Sequence, residues 1–139
     1  SKEMRVPHTP SRLGFLVPLT SCVLAARANG LDVLDGVHLN LTEPDQFHAL
    51  CLQGKALGFD GKTLIHPTQV DAANDVFAPS KEEVQAAREI LDAWEAAHAE
   101  GKGVVVVNGN LVENLHVEEA SRTLALAAGI ADLIDSGIV

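Results

Sequence analysis

The chain has 139 residues, enough for one compact domain, and carries a formal charge of −9 at pH 7. Its ten Lys and Arg are scattered and its aromatic side chains are limited to four Phe and one Trp, so it lacks the clustered cations and stacking rings of a nucleic-acid-binding protein. No apolar run reaches the roughly 18 residues of a membrane-spanning helix and no signal peptide is recognisable, so we expect no membrane partner.

Both cysteines, Cys22 and Cys51, stand inside apolar helical patterns. We interpret them as small buried residues of a protein in a reducing compartment, and we expect a cytoplasmic location. The glycosylation-type sequence Asn40-Leu41-Thr42 is common by chance and does not change this expectation.

The pattern up to Gly58 alternates between helix and strand after an irregular, polar start. A helix is predicted over Ser21–Ala28, and a strand over Leu31–His38. Thr42 is predicted to cap the next helix, which has Pro44 in its first turn and ends at Gly58.

A second strand is predicted over Lys62–His66, because this short run has β-branched and apolar members and ends at a proline, which lacks the N–H that a strand ladder needs. A short helix over Thr68–Phe77 follows. Strands that alternate with helices indicate a parallel α/β sheet, in which functional groups collect where strands end. Ile65, His66 and Pro67 occupy such a strand end.

The remaining elements read as a helix, a hairpin and a helix. Ser80 and Glu83 form a capping-box pattern, and Asn108-Gly109 is a strong signal for a two-residue hairpin turn. The predicted elements are a helix from Ser80 to about His98, a turn at Gly101–Gly103, strands at Val104–Val107 and Leu111–Val112, and a helix over His116–Ile134.

Four segments carry a pattern that is specific when taken together: Ala25–Gly36, Gly58–Pro67, Ala73–Ser80 and Gly103–His116. In order and spacing they resemble the C-terminal part of the HpcH/HpaI aldolase and citrate lyase β-subunit (CitE-like) family, particularly its malyl-CoA and citramalyl-CoA lyase-like branch. The resemblance extends over roughly residues 12–130.

The resemblance implies the C-terminal part of a (β/α)8 TIM barrel followed by a helix–hairpin–helix lid. Residues 1–79 would hold the last two barrel strands, Leu31–His38 and Lys62–His66, and residues 80–139 would form the lid. A complete barrel takes about 250 residues, so 139 residues suggest a piece of a longer protein. In the family the missing strands carry an arginine for the acyl carboxylate and the Glu and Asp that hold Mg²⁺, so we assign no metal ligand to this chain.

The function implied by the resemblance is that of a Mg²⁺-dependent carbon–carbon lyase. Such an enzyme cleaves a 3-hydroxyacyl-CoA of the malyl-CoA, methylmalyl-CoA or citramalyl-CoA type to a 2-oxo acid and a shorter acyl-CoA. Mg²⁺ is the implied cofactor, a coenzyme A thioester the substrate, and a homo-trimer or homo-hexamer the assembly, with the 139-residue piece inactive alone. Two alternatives stay open: a malyl-CoA thioesterase-like member of the family, and a non-catalytic oligomerisation module.

The resemblance points to Glu113 as the catalytic residue. In the family an aspartate on the return arm of the hairpin reaches into a neighbouring subunit as the acid/base, and Glu113 stands at the matching position. Glutamate is one methylene longer, with a reference pKa of about 4.3 against about 3.9. A solvated hairpin carboxylate is the alternative. A second departure is Asn40 and Glu43, in a region where relatives often carry Asp.

His66 and Pro67 are the candidate substrate-binding residues, since they lie at the mouth formed by the end of a strand. The alternative for His66 is that its imidazole holds a backbone carbonyl at the corner between strand and helix. Asn114 and His116 either orient Glu113 or cap the last helix, with the cap preferred.

The other chemistry-bearing side chains are expected to be structural or solvated. His38 is expected to pack or face solvent, and Lys62 to be a surface lysine rather than a ligand of a coenzyme A phosphate. His8, His48 and His98 lack the paired spacing of a zinc site.

Overall fold

A computed structural model of the chain describes residues 3–99, 101 and 104–137. The chain divides into two compact units, Ser1–Phe77 and Ala78–Val139. The assignment of residues 1–79 to a barrel and of residues 80–139 to a lid stays a prediction.

The first unit has the order helix, strand, helix, strand, helix. Its elements are α1 (Leu16–Ala28), β1 (Leu34–Asp35), α2 (Pro44–Leu57), β2 (Gly61–Lys62) and α3 (Val70–Phe77), with 3₁₀ turns at Leu13–Phe15 and Pro67–Gln69. The second unit contains α4 (Lys81–Ala99), β3 (Val105–Val107), β4 (Asn110–Val112) and α5 (Asn114–Asp135).

The two strands of the first unit are parallel neighbours joined through α2. In their register Leu34 is opposite Gly61 and Asp35 is opposite Lys62. A parallel pair with a crossover helix is the basic unit of an α/β fold. The α/β class is therefore confirmed, whereas the place of these strands in a barrel stays a prediction.

Both strands are shorter than the predicted ones, with two residues each. Side chains accept hydrogen bonds from backbone N–H groups that would pair with the neighbouring strand if the strands were longer. The N–H of Val33 donates to Oδ2 of Asp60 at 2.8 Å, and the N–H of Ile65 donates to Oε1 of Gln69 at 3.0 Å. Because these donors are already bonded, the regular ladder is confined to the residues between them.

The core of the first unit lies between α2 and α3. Phe47 and Cys51 of α2 pack with Ala73 and Val76 of α3, in each case from positions three or four residues apart on one helix face. The buried Cys51 is as predicted. Cys22 is exposed, contrary to the prediction; the apolar residues of α1 do not form one stripe, and Val23 is its only buried residue.

The starts of α1 and α2 differ from the prediction. The helix α1 begins at Leu16 rather than Ser21, and the N-cap of α2 is Glu43 rather than Thr42. Thr42 is already engaged, since its N–H and hydroxyl both donate to Oδ1 of Asn40, at 3.0 and 2.7 Å. An Asn side chain that folds back on the residue two positions later favours a turn over a helix start.

The second unit matches its predicted elements closely. Ser80 and Glu83 form the predicted capping box, with reciprocal bonds of 2.7 and 3.1 Å at the start of α4. β3 and β4 form an antiparallel hairpin, and its turn residues Asn108 and Gly109 both have positive φ, 50° and 82°, as a type I′ turn requires. The helix α5 begins at Asn114, earlier than His116.

The predicted turn at Gly101–Gly103 lies partly outside the described residues. Among the helices of the described residues, none combines the length and apolar character needed to cross a lipid bilayer.

Gly58 offers a test of how α2 is ended. Its φ is 95°, and a Cβ there would lie 3.1 Å from Cγ1 of Val23. We expect Gly58→Ala to lower the free energy of unfolding by about 1 to 2 kcal/mol, because alanine resists the left-handed conformation and meets Val23. Urea unfolding followed by far-UV circular dichroism measures the change.

Two glycines of the same unit serve as controls. Gly30 has φ 65° but open space around it, and Gly36 has neither a positive φ nor a neighbour within 4 Å. Gly30→Ala should cost about 1 kcal/mol and Gly36→Ala less than about 0.5 kcal/mol. A Gly58→Ala variant as stable as Gly36→Ala would contradict this account.

Candidate functional site at the strand ends

A buried cluster of charges lies at the carboxyl ends of β1 and β2. Asp35 is 1% exposed, and its carboxylate accepts hydrogen bonds from Nη1 of Arg12 at 2.8 Å and from Nζ of Lys62 at 2.9 Å. The N–H of Gly36 adds a third donor at 2.9 Å. The register that places Asp35 opposite Lys62 thus also pairs their charges.

Lys62 is not the solvated surface lysine that we predicted, since its side chain is 2% exposed. Its ammonium group also donates to the carbonyl oxygen of Gly36 at 2.9 Å. Sequence spacing gave no sign of this, because Asp35 and Lys62 come together only when the two strands pair. A buried ammonium group needs such partners, since an unpaired buried charge is strongly unfavourable.

The helix α2 makes room for the cluster through Gly54. A Cβ at Gly54 would lie 3.1 Å from Oδ2 of Asp35, closer than most side chains tolerate. From the same helix, Oε1 of Gln53 accepts a hydrogen bond from Nε of Arg12 at 2.6 Å. Arg12 itself has φ 50°, a left-handed conformation that is uncommon outside glycine. Nη2 of Arg12 is buried, with no partner among the described residues.

The environment keeps Asp35 ionised. Burial would raise the pKa of its carboxyl, but the hydrogen bonds from Lys62 and then from Arg12 outweigh burial and hold the pKa below its ordinary value. Because its oxygens are occupied by two cations, Asp35 is suited to hold the strands together rather than to transfer protons.

A second ion pair lies at the opposite, amino ends of the strands. Arg27 binds both carboxylate oxygens of Asp60 at 2.8 Å and donates to the carbonyl oxygen of Gly58 at 2.7 Å. The hydrogen bond to Asp60 raises the pKa of Arg27. This pair fastens the end of α1 to the turn before β2, so it contributes to the fold rather than to the strand-end loops.

His66 and Pro67 lie on the loop after β2, which ends at Lys62, and not at the end of the predicted strand Lys62–His66. Nδ1 of His66 accepts from the N–H of Thr68 at 3.2 Å and lies 2.9 Å from its hydroxyl oxygen. The predicted partner was a backbone carbonyl, so the observed bond has the opposite polarity. Since Nδ1 accepts, the proton of the neutral ring is on Nε2, and the ring is exposed.

The loop after β1 is connected to the loop after β2 through Gln69. Its side-chain amide, 3% exposed, accepts from the N–H of Ile65 at 3.0 Å and donates to the carbonyl oxygen of His38 at 3.0 Å. The ring of His38 packs beside Phe47, with centroids 5.9 Å apart. Sequence reasoning did not identify Gln69, Asp35 or Arg12 as site residues, because the residues next to each of them carry no sign of the distant partners that folding brings to it.

Glu113 lies in the second unit, directly after β4, where it is the N-cap residue of α5 and exposed. Its backbone N–H donates to Nδ1 of His116 at 3.0 Å. His116 therefore takes part in capping the helix, which is the role that we predicted for it. Asn114 is the first residue of α5 rather than its cap, and its side chain donates to Glu118 at 2.7 Å. The catalytic role of Glu113 stays a prediction.

The described residues do not fit the Mg²⁺ implied by the resemblance. Within residues 3–99, 101 and 104–137, no three His, Cys, Asp or Glu side chains are grouped so that they could hold a metal. Asp35, the buried carboxylate at the strand ends, is already neutralised by Arg12 and Lys62. We therefore assign no metal-dependent step to these residues.

The low pKa of Asp35 predicts how stability depends on pH. Its folded pKa lies below the unfolded value of about 3.9, so its contribution is complete above that value and is lost as the pH falls through the folded pKa. Asp35→Asn should cost about 3 to 5 kcal/mol at pH 7, because two cations lose their partner, and should flatten the loss of stability below about pH 4. Urea unfolding between pH 2.5 and pH 7 measures both effects.

Asp75→Asn is the matched control, since Asp75 is exposed on α3. It should change stability by less than about 0.5 kcal/mol and keep the acid dependence of the wild type. If the Asp35→Asn variant has the stability and pH profile of this control, the charge cluster does not hold the unit together.

A family model and several known proteins match the chain. The model for the HpcH/HpaI aldolase/citrate lyase family matches residues 1–67. A (3S)-malyl-CoA thioesterase of Cereibacter sphaeroides is 47% identical over 131 residues, which cover 94% of this chain and 46% of the relative. The citrate lyase subunit beta of Escherichia coli K12 is 35% identical over 126 residues, which cover 91% of this chain and 42% of the relative.

Solved structures of similar proteins agree with these matches. The CitE protein of Mycobacterium tuberculosis, in complex with magnesium, acetoacetate and coenzyme A, has a TM-score of 0.63 and 29% identity, covering 79% of this chain and 40% of that chain. A citrate lyase of Burkholderia xenovorans shares the fold, with a TM-score of 0.71 and 21% identity, covering 94% of this chain and 40% of that chain.

The chain thus spans less than half the length of the curated relatives that it matches, 46% and 42% of them. The match to those relatives extends over both units, while the family model covers the charge cluster and the strand-end loops up to Pro67. Over residues 1–67 this chain matches the HpcH/HpaI aldolase/citrate lyase family, and over both units it is similar to proteins named (3S)-malyl-CoA thioesterase and citrate lyase subunit beta.

Proposed function

We propose that the chain is the C-terminal portion of an enzyme that acts on a coenzyme A thioester of the malyl-CoA type, with hydrolysis of the thioester as the first candidate reaction. The observation that carries this proposal is the 47% identity to a (3S)-malyl-CoA thioesterase over 94% of the chain. A similarity of this extent includes the strand-end loops of the first unit and the hairpin and helix around Glu113.

Glu113 is proposed as the general base and acid of the hydrolysis. Its exposed position at the start of α5 leaves it accessible to a thioester. The carboxylate removes a proton from the water that attacks the thioester carbonyl, and the resulting tetrahedral intermediate expels the coenzyme A thiolate. The proton held by Glu113 then passes to the thiolate, so malate and coenzyme A are released. Proton transfer of this kind typically contributes about 10² to 10⁴ in rate.

Cleavage of a carbon–carbon bond is the second candidate, supported by the 35% identity to a citrate lyase subunit beta. In that reaction the carboxylate of Glu113 would take the proton of the 3-hydroxyl group, the bond between C2 and C3 breaks, and a 2-oxo acid leaves. Glu113 would then protonate the α-carbon of the thioester enolate to give the shorter acyl-CoA. The CitE of Mycobacterium tuberculosis binds magnesium, but the described residues of this chain do not supply a site for it.

His66 and Pro67 are proposed to contact the substrate. Because Nδ1 of His66 accepts from Thr68, Nε2 carries the proton and offers one N–H donor from the exposed ring. Such a donor suits a carboxylate, carbonyl or phosphate oxygen of an acyl-CoA. Pro67 opens the following 3₁₀ turn and fixes the backbone direction next to the ring.

The first unit is proposed to be covered by further strands, as in a barrel. In its two-stranded sheet the apolar side chain of Leu34 is 60% exposed, while the charged side chain of Asp35 is buried. This is the reverse of the usual arrangement. Parallel sheets are normally covered on both faces, so the open face around Leu34 supports a barrel portion. The 139-residue chain alone is then expected to be inactive.

A cytoplasmic homo-oligomer, a trimer or hexamer in which the lid acts on a neighbouring subunit, is also part of the proposal. The hairpin supports it, because Val106 and Leu111, opposite each other in register, are both exposed. If the second unit serves only for such contacts, the chain is the non-catalytic module of the remaining alternative.

Product analysis distinguishes the two reactions. A chimera that joins the preceding part of the Cereibacter sphaeroides thioesterase to this chain should release free coenzyme A and malate from (3S)-malyl-CoA. Thiol titration and chromatography of the products measure the outcome, with citramalyl-CoA as a second substrate. Release of glyoxylate and acetyl-CoA in place of free coenzyme A would establish the lyase and refute hydrolysis as the main activity.

Glu113→Gln in the same chimera tests the catalytic residue. The amide cannot accept the proton, so kcat should fall by about 10² to 10⁴ with little change in KM. Glu118→Gln, four residues beyond Asn114 on α5, is the control and should keep its activity within about threefold. Turnover of Glu113→Gln within threefold of the parent chimera would favour the oligomerisation module over a catalytic lid.

A further inference from the structure

We infer that Gln69 is a positioning residue: it sets the spacing between the loops that follow β1 and β2 and thereby holds His66 in place for the substrate. The effect on substrate binding rests on the proposed function. The effect on loop spacing rests on the geometry of the first unit alone. Gln69 transfers no proton and is not itself assigned to touch the substrate.

The side chain of Gln69 is placed as a bridge rather than as a surface amide. It is 3% exposed, and both ends are used: Oε1 accepts from the N–H of Ile65 and Nε2 donates to the carbonyl oxygen of His38, each at 3.0 Å. The amide group is planar and rigid, so the two backbone groups are held at a fixed separation. Each lies in a loop just beyond a strand.

The bridge begins where the strand ladder ends. The N–H of Thr63 donates to the carbonyl oxygen of Asp35 at 2.9 Å, just past the register pair of Asp35 and Lys62. Three residues beyond Asp35, at His38, the side-chain amide of Gln69 provides the next hydrogen bonds between the two segments. Without it, the N–H of Ile65 and the carbonyl oxygen of His38 would each lose a partner in a partly buried setting, which is unfavourable.

Gln69 holds both His66 and the residue before it. Its backbone N–H donates to the carbonyl oxygen of His66 at 3.1 Å, and its side chain holds Ile65, the residue immediately before His66. The ring of His66 is itself oriented by Thr68. Since both the ring and its backbone are fixed, the direction of the Nε2–H donor follows from the position that Gln69 imposes.

The other end of the bridge is attached to the core. The ring of His38 packs beside Phe47, a buried residue of α2, with centroids 5.9 Å apart. Gln69 therefore connects the exposed loop of His66 to a residue that packs against the core of the unit. An error of about 1 Å in the position of a binding group is enough to cost about 10²-fold in rate, which gives this link functional weight.

Two substitutions of Gln69 distinguish its hydrogen bond to Ile65 from its hydrogen bond to His38. Gln69→Met has a similar length and removes both hydrogen bonds. Gln69→Glu keeps an acceptor for the N–H of Ile65 but places a second carboxylate oxygen against the carbonyl oxygen of His38. Gln85→Met, at an exposed position of α4, is the matched control for the loss of a glutamine amide.

The first readout is amide hydrogen exchange in the 139-residue chain, which does not depend on activity. We expect exchange at Ile65 to accelerate about tenfold in Gln69→Met and to stay near the wild-type rate in Gln69→Glu, since only the former removes its acceptor. Exchange at Phe47 and Val76 should be unchanged in both. Unchanged exchange at Ile65 in Gln69→Met would overturn the bridge, as would uniform acceleration over the unit, which indicates global destabilisation.

The second readout is the kinetics of the active chimera. Both variants should raise KM for (3S)-malyl-CoA about tenfold and change kcat by less than about threefold, because a binding group is displaced while Glu113 is untouched. An unchanged KM beside altered exchange would show that Gln69 holds the loop without positioning the substrate, and would overturn that part of the inference. If the parent chimera shows no thioester turnover, the proposed function fails, and the exchange result alone decides the bridge.

Discussion

The structure of the first unit depends on one buried carboxylate shared between two cations. Asp35 joins Lys62 on the neighbouring strand to Arg12 on the segment before α1, so a single side chain fixes the strand register and the entry of the chain. The cluster is compatible with burial only because every oxygen of Asp35 is bonded and because Gly54 leaves space for them. Removing one partner would leave an uncompensated charge, which is why such clusters are sensitive to single changes.

Two other polar links of the first unit lie at opposite ends of the strands. At the amino ends of the strands, opposite the ends that carry the predicted substrate contacts, Arg27 and Asp60 fasten α1 to the turn before β2. At the carboxyl ends, Gln69 joins the loops that carry His38 and His66. In parallel α/β folds ligands bind at the carboxyl ends of strands, so we assign the first link to the scaffold and the second to the proposed substrate site.

The two units contribute different parts of the proposed enzyme. The first offers loops and a donor from His66, while the second presents Glu113 at the start of a long helix, with His116 completing the cap. The chain is 47% identical to a protein named (3S)-malyl-CoA thioesterase and 35% identical to a citrate lyase subunit beta. Both reactions need a carboxylate that moves one proton near a thioester, and they differ in the bond that breaks. The proposal therefore commits to a substrate class, a coenzyme A thioester, and leaves the choice of reaction to product analysis.

The sequence by itself determined the features that depend on neighbours along the chain. Local hydrogen bonding and backbone preference explain the capping box of Ser80, the turn at Asn108-Gly109, the end of α2 at Gly58 and the alternation of helices and strands. The four quoted segments were also sufficient to indicate the resemblance to the family. Only the tertiary structure decided that Lys62 is buried, that Asp35 joins three segments and that Gln69 bridges two loops. The physical reason is that each of these pairs residues many positions apart, and a charge or an amide in a sequence carries no record of the partner that folding brings to it.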